Sequence, residues 1–170
     1  LKNAHVQTVL AISKLRTLGP NEMCAVARKE IIATAEGVKL LGYHSVQNNR
    51  PAKGLVILLH GWEGSVDSTY LLRCGRSLYR HGYDIFRLNF RDHGDSHHFN
   101  KGIFYAVLVE EVFQAVKQAA GFSNGRPVFL VGFSLGGNFV LRILKKCANV
   151  PVKNLCHAVS ISPVLNPQNS

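Results

Sequence analysis

Val128-Phe129-Leu130-Val131-Gly132-Phe133-Ser134-Leu135-Gly136-Gly137-Asn138 is the stretch around which the chain is organised. Its first four residues are apolar and rich in strand formers. From Asn138 to Cys147 the apolar residues recur at helical spacing. A glycine–x–serine–x–glycine segment between a strand and a helix sets the serine at the tip of a very tight turn. That turn predicts a strained backbone at Ser134, tolerated only where small neighbours leave room, hence Gly132 and Gly136. Leu135 opens the helix, and its backbone N–H is expected to point to where negative charge develops when Ser134 attacks a carbonyl.

The motif needs its context, and the chain in order supplies it. Residues from Ala25 to Ala35 and from Val38 to Val46 are β-prone and separated by Glu36-Gly37, which predicts an antiparallel hairpin. Leu55 to Leu59 is a continuous apolar run, as expected of a strand buried on both faces. His60-Gly61-Trp62-Glu63-Gly64 then forms a loop. A helix is predicted to start at a cap on Asp67 or Ser68 and to run to about His81, ending at Gly82. Asp84 to Phe90 reads as a strand, Arg91 to Ser96 as a loop, and Ile103 to Ala120 as an amphipathic helix. The Ser134 strand and helix follow, the helix burying Phe139, Val140, Ile143, Leu144 and Cys147, and Leu155 to Ile161 is a last strand. Alternating strands and helices after a hairpin predict an α/β fold, a mostly parallel doubly wound sheet. Residues 1–24 read as an N-terminal extension with a partly helical stretch from Val6 to Leu18, and 25–170 as the core domain.

Bulk properties narrow the function. At 170 residues, 46% hydrophobic and 18% charged, the chain is one globular domain and not a disordered one. No apolar run reaches the length of a membrane span, and Leu1-Lys2-Asn3-Ala4-His5 is not a signal peptide. The missing initiator Met points to a true N-terminus that lies further upstream. Cys24, Cys74, Cys147 and Cys156 have neither disulfide-framework nor metal spacing, so they read as reduced thiols, three of them in the core, which favours a cytoplasmic location. The net charge of +10 is scattered, without a basic run or interleaved aromatic residues, and nucleic-acid binding is not expected. Arg73, Arg76 and Arg80 share one face of the first predicted helix, either a solvated face or a contact for an anionic membrane surface.

Ligands of such sheets bind beyond the carboxyl ends of the strands. Three loops leave those ends, at His60–Gly64, Arg91–Ser96 and Gly132–Gly137, and they are expected to converge on one cleft. An oxyanion there needs two backbone donors, for which the N–H groups of Trp62 and Leu135 are the candidates. His60 reads as orienting its loop, with Gly61 allowing close approach of the backbone, and not as a proton carrier. Asp92, His93, Asp95, His97 and His98 are crowded as metal ligands often are, but they sit on a glycine-containing loop. No metal and no cofactor are expected, and the loop is read as shaping the cleft.

The chain resembles the YheT-like branch of the α/β-hydrolases. Asn3-Ala4-His5-Val6-Gln7-Thr8 is similar to an N-terminal motif of that branch, with Ala4 in place of proline. His60-Gly61 is similar to its oxyanion loop, Arg91-Asp92-His93-Gly94-Asp95-Ser96 to its Arg-x-His-Gly-x-Ser loop, and Gly132 to Asn138 to its nucleophile elbow. The resemblance implies an α/β-hydrolase fold and a serine hydrolase of carboxylic esters, with small-molecule or lipid acyl esters as substrates. It implies Ser134 as nucleophile, Trp62 and Leu135 as oxyanion donors, and His60, Gly61, Gly132, Gly136, Gly137 and His93 as supports. The family's remaining triad members, Asp and His, follow strands later than the one ending near Ile161. They are therefore expected beyond Ser170, the sheet is incomplete at its C-terminal end, and the isolated chain is expected to be inactive. His157, inside the last strand, does not replace the base. The alternative is a non-catalytic binding module on the same scaffold.

Overall fold

The structure, a computed structural model, describes residues 19–34 and 37–165. The N-terminal motif at 3–8, the stretch from Val6 to Leu18 and the turn residue Glu36 lie outside the described residues. A short helix α1 (Glu22–Ala25) leads into β1 (Ala27–Ala33) and β2 (Lys39–Ser45), followed by β3 (Leu55–Leu59), α2 (Thr69–Arg80) and β4 (Asp84–Leu88). After a 3-10 turn at Gly94–Ser96 come α3 (Val109–Gly121), β5 (Val128–Phe133), α4 (Leu135–Cys147) and β6 (Leu155–Ile161).

The six strands form one sheet in the order β1-β2-β4-β3-β5-β6. β1 pairs antiparallel with β2 and β2 antiparallel with β4, whereas β4, β3, β5 and β6 run parallel. The hairpin and the doubly wound sheet expected from the sequence are both present. All five residues of β3 are buried, and alternate ones face opposite layers. Leu55, Ile57 and Leu59 pack with Val112, Phe113 and Val116 of α3 and Phe139, Val140 and Ile143 of α4. Val56 and Leu58 pack with Met23 of α1 and Leu71 and Tyr79 of α2.

Local packing displaces some boundaries. α3 begins at Val109 and not at Ile103. Phe104 turns inward, stacking on Phe90 at 5.3 Å, while Ile103, Tyr105 and Val107 stay exposed. This aromatic contact outweighs the helical spacing of residues 103–108. In α3, Glu110 and Glu111 occupy the first turn, where carboxylates oppose the helix dipole. Ser68 flanks α2 without capping it through its side chain; its hydroxyl accepts from the Ser65 N–H at 2.9 Å instead. In α4, Leu144 is exposed and Cys147 half-buried, so the buried face is narrower than the spacing suggests. The four cysteines are free; Cys24, Cys74 and Cys147 are half-buried and Cys156 is exposed, so the expected core thiols lie at the margin of the core. Of the arginine face on α2, Arg76 and Arg80 both pair with Glu22 of α1, and Arg73 is exposed. No helix among the described residues is long and apolar enough to cross a membrane.

Candidate active site

β5 enters the sheet centre and stops at Phe133, where the Ser134 N–H donates to the Ile161 carbonyl at 2.9 Å. The chain then reverses into α4, whose first bond runs from the Asn138 N–H to the Ser134 carbonyl at 3.0 Å. One residue joins the two elements. Ser134 takes φ 51° and ψ −114°, a region that L-residues adopt only when surrounding structure imposes it.

Two glycines make that reversal possible, though not by relieving Ser134 itself. A Cβ on Gly132 would strike the Gly136 carbonyl, and one on Gly136 would strike the His60 carbonyl and approach the Leu59 carbonyl oxygen to 2.6 Å. The glycines let the start of α4 lie directly on the ends of β5 and β3. The sequence argument for small residues at these positions holds, but the atoms they avoid belong to the neighbouring backbone. Gly137 faces β6, where its carbonyl accepts from the Ser160 hydroxyl at 2.9 Å. Asn138 Nδ2 donates to the Val164 carbonyl at 2.8 Å, fastening the segment beyond β6.

The second wall of the site is the loop after β3. Gly61 to Gly64 closes as a turn, its Gly64 N–H donating to the Gly61 carbonyl at 3.1 Å, with Glu63 held at φ 51°. His60 is fully buried behind this turn. One ring nitrogen, Nδ1, lies 2.7 Å from the Gly61 carbonyl, and Nε2 lies 3.1 Å from the Phe90 N–H. A carbonyl can only accept and an amide N–H can only donate, so the ring is neutral with its proton on Nδ1. Burial pushes its pKa down to about 3, with His93 acting in the same direction. With both nitrogens committed, His60 orients its loop.

Further contacts fix the far side of the loop and brace the residues behind it. The Gly61 N–H donates to Tyr70 Oη at 2.9 Å. At Val66, the N–H donates to buried Asn89 Oδ1 at 2.8 Å, and the carbonyl accepts from buried Arg87 Nη1 at 2.7 Å. Arg87 Nη1 also lies 3.3 Å from Asp67 Oδ1. His93 Nδ1 sits 2.8 Å from the Arg91 carbonyl, and its ring packs on His60 at 4.9 Å. Arg91 in turn donates twice to Glu111 Oε2, at 2.6 and 3.1 Å.

Gly61, Trp62, Tyr70, Phe133, Ser134, Ile161 and Ser162 line a cleft of about 330 Å³. Two of the three expected loops therefore meet there. The third, Arg91–Ser96, contributes no residue to the cleft lining; its His93 packs on His60 and on Phe104, which in turn packs on Trp62. Tyr70 and the Ile161-Ser162 pair are cleft residues that the sequence reading missed. Tyr70 is the second residue of α2, and that position, at the start of the helix that leaves this loop, is its one signal in the sequence. In the crowded loop at 92–98, His97 Nδ1 pairs with Asp92 Oδ1 at 2.6 Å and His98 packs on Phe99. Among the described residues no group of three or more His, Cys, Asp or Glu side chains converges as a metal site would require. His157 stacks on Phe129 within the sheet, at 5.9 Å.

A family model described as serine aminopeptidase, S33, matches residues 50–170. The chain belongs to that family. It is 28% identical over 124 residues to a Haemophilus influenzae protein named "Putative esterase/lipase", covering 72% of this chain and 39% of that one. Among solved structures, it is similar to the Pyrococcus furiosus esterase Pf2001, with a TM-score of 0.65 at 24% identity over 81% of this chain and 51% of the other. Esterase Est22 gives a TM-score of 0.66 at 15% identity, over 95% and 52% of the two chains. At these identities the structural likeness establishes the α/β-hydrolase fold. The chain spans about half the length of the esterases, and less of the Haemophilus relative.

Proposed function

We propose that this chain carries the nucleophile and the oxyanion site of a serine hydrolase acting on carboxylic esters, of the YheT-like branch. The observation that carries the reading is Ser134, held at φ 51° between β5 and α4 and lining one cleft with Gly61 and Trp62. In the proposed reaction Ser134 Oγ attacks the ester carbonyl while a base takes its proton. The carbonyl becomes an oxyanion facing the N–H groups of Trp62 and Leu135, the alcohol leaves, and water releases the acid from the acyl-enzyme. As the first residue of α4, Leu135 has an N–H without an intrahelical acceptor, at the positive end of the helix dipole.

Among the described residues no histidine hydrogen-bonds Ser134, and His60 is committed elsewhere through both nitrogens. The proposed base is a His paired with an Asp, supplied by the part of the protein that matches the relatives' remaining length. The substrates are small or lipid-like acyl esters, in keeping with an apolar cleft wall of Trp62, Phe133 and Ile161. The test is covalent labelling by a fluorophosphonate together with hydrolysis of p-nitrophenyl butyrate, in the longest natural form of the protein. Both are expected to vanish in Ser134→Ala. Labelling and turnover that persist in that variant would refute the assignment.

A further inference from the structure

We infer that Tyr70 is a catalytic residue, its hydroxyl serving as a third hydrogen-bond donor to the oxyanion formed on Ser134. The inference rests on the esterase reading above and extends it to a side chain on α2. Tyr70 lines the same cleft as Ser134 and Trp62. Its ring is braced against Phe133 at 5.0 Å, so the hydroxyl is carried on a fixed arm. The point where a side chain on Gly61 would begin lies 3.4 Å from Tyr70 Oη and 3.3 Å from Ser134 Cβ. The hydroxyl and the serine thus flank one small volume, beside the backbone that bears the Trp62 N–H.

The hydrogen bonding gives the direction. Tyr70 Oη accepts from the Gly61 N–H at 2.9 Å, which occupies a lone pair and leaves the phenolic hydrogen. Among the described residues that hydrogen has no acceptor. A tyrosine that already accepts one bond is a stronger donor through its own O–H, since the two bonds polarise each other. The oxygen that becomes negative during attack is the acceptor this donor is set to meet. Tyr70 keeps its proton throughout: it forms and loses a hydrogen bond, and exchanges no atom with the substrate.

The experiment compares Tyr70→Phe with replacement of Tyr70 by 3-fluorotyrosine, using p-nitrophenyl butyrate at a pH below the ionisation of the fluorophenol. Tyr70→Phe keeps the ring and removes the hydroxyl; kcat is expected to fall roughly 10²-fold, as for loss of one oxyanion donor, with KM changed less than about threefold. Fluorination makes the hydroxyl a better donor and a poorer acceptor. If Tyr70 donates to the oxyanion, kcat holds or rises in the fluorotyrosine protein, which also retains the hydroxyl should the phenylalanine variant fold poorly. If Tyr70 merely holds Gly61 by accepting, kcat falls with fluorination, and the proposal is overturned. Ser134-dependent turnover that is indifferent to Tyr70→Phe also overturns it while leaving Ser134 in place. Turnover that survives Ser134→Ala removes the esterase reading itself, and Tyr70 with it.

Discussion

Adding one methyl group at Gly136 is the most direct test of how the site is built. In Gly136→Ala the new Cβ falls 2.6 Å from the Leu59 carbonyl oxygen and 2.9 Å from its carbon, with the His60 carbonyl closer still. Ordinary contact begins at 3.4 Å, so α4 must retreat from the end of β3 by at least about 0.8 Å. No side chain can swing away, because every atom in the way is backbone. Alanine recovers about 1 kcal/mol of helix propensity, but overpacking of this kind costs about 1–3 kcal/mol. The expected net loss of stability is therefore about 0–2 kcal/mol. The kinetic effect is larger, because the retreat carries Ser134 and the Leu135 N–H with it. A displacement near 1 Å costs on the order of 10²-fold in rate. The assay pairs urea unfolding with the rate of fluorophosphonate labelling. Gly121→Ala is the control: a Cβ there meets nothing within 4 Å, and that variant is expected to label normally. Labelling of Gly136→Ala within threefold of the parent would refute the claim that this contact positions Ser134, the proposed nucleophile.

Other consequences can be measured in the same way. His60, with a pKa near 3 when folded, lies below its unfolded value near 6.5. The unfolded chain thus binds the proton first, and stability is lost as pH falls from 6.5 toward 3, by up to about 1.4 kcal/mol per pH unit. Urea unfolding at pH 7 and pH 5 should show this loss, and His60→Asn should flatten it; an equal slope in the variant would count against it. The side chain of Trp62 is 61% exposed, so Trp62→Ala is expected to label within a few-fold of the parent. Trp62→Pro, which removes the N–H, is expected to lose about 10²–10³-fold. Equal rates in the two variants would rule out the backbone donor. Asp84 is fully buried, accepting from Arg126 Nη2 at 2.7 Å and from the Gln47 N–H at 2.8 Å. Asp84→Ala leaves those donors without their acceptor and is expected to cost about 1–3 kcal/mol in denaturant unfolding, less than a fully buried pair because Arg126 is partly exposed to water.

The sheet was legible because its signals are local and redundant. Five consecutive apolar residues at 55–59 require cover on both faces, and a hairpin followed by alternating strands and helices leaves few topologies. The Ser134 turn was legible for the same reason, since Gly132 and Gly136 betray a close approach before its partners are known. What the sequence hid are contacts between distant residues. Nothing near Phe104 announces that it will leave a helical pattern to stack on Phe90. Nothing around Tyr70 announces a bond to Gly61, because the residue types are those of any amphipathic helix. The arginines at 76 and 80 read as a free basic face until Glu22 is brought opposite them.

The contacts around the loop at 60–68 act together. The loop at 60–68 carries the Trp62 N–H and contains a non-glycine residue, Glu63, at positive φ, so its shape is not its own minimum. It is held at Gly61 by His60 and Tyr70 and at Val66 by Asn89 and Arg87. Of these four side chains His60 and Asn89 are fully buried, and Arg87 is 2% exposed. A buried arginine is costly unless it is well paired, and this one spends a hydrogen bond on a backbone carbonyl of the loop. That expense is intelligible if the position of one amide matters more than the stability of the core beside it. A donor fixed before the substrate arrives needs no reorganisation when charge develops, which is the property an oxyanion site requires. Under the proposed function, the strain at Ser134 and the clamped loop are two halves of one device, one fixing where the oxygen would attack and the other where the charge would go.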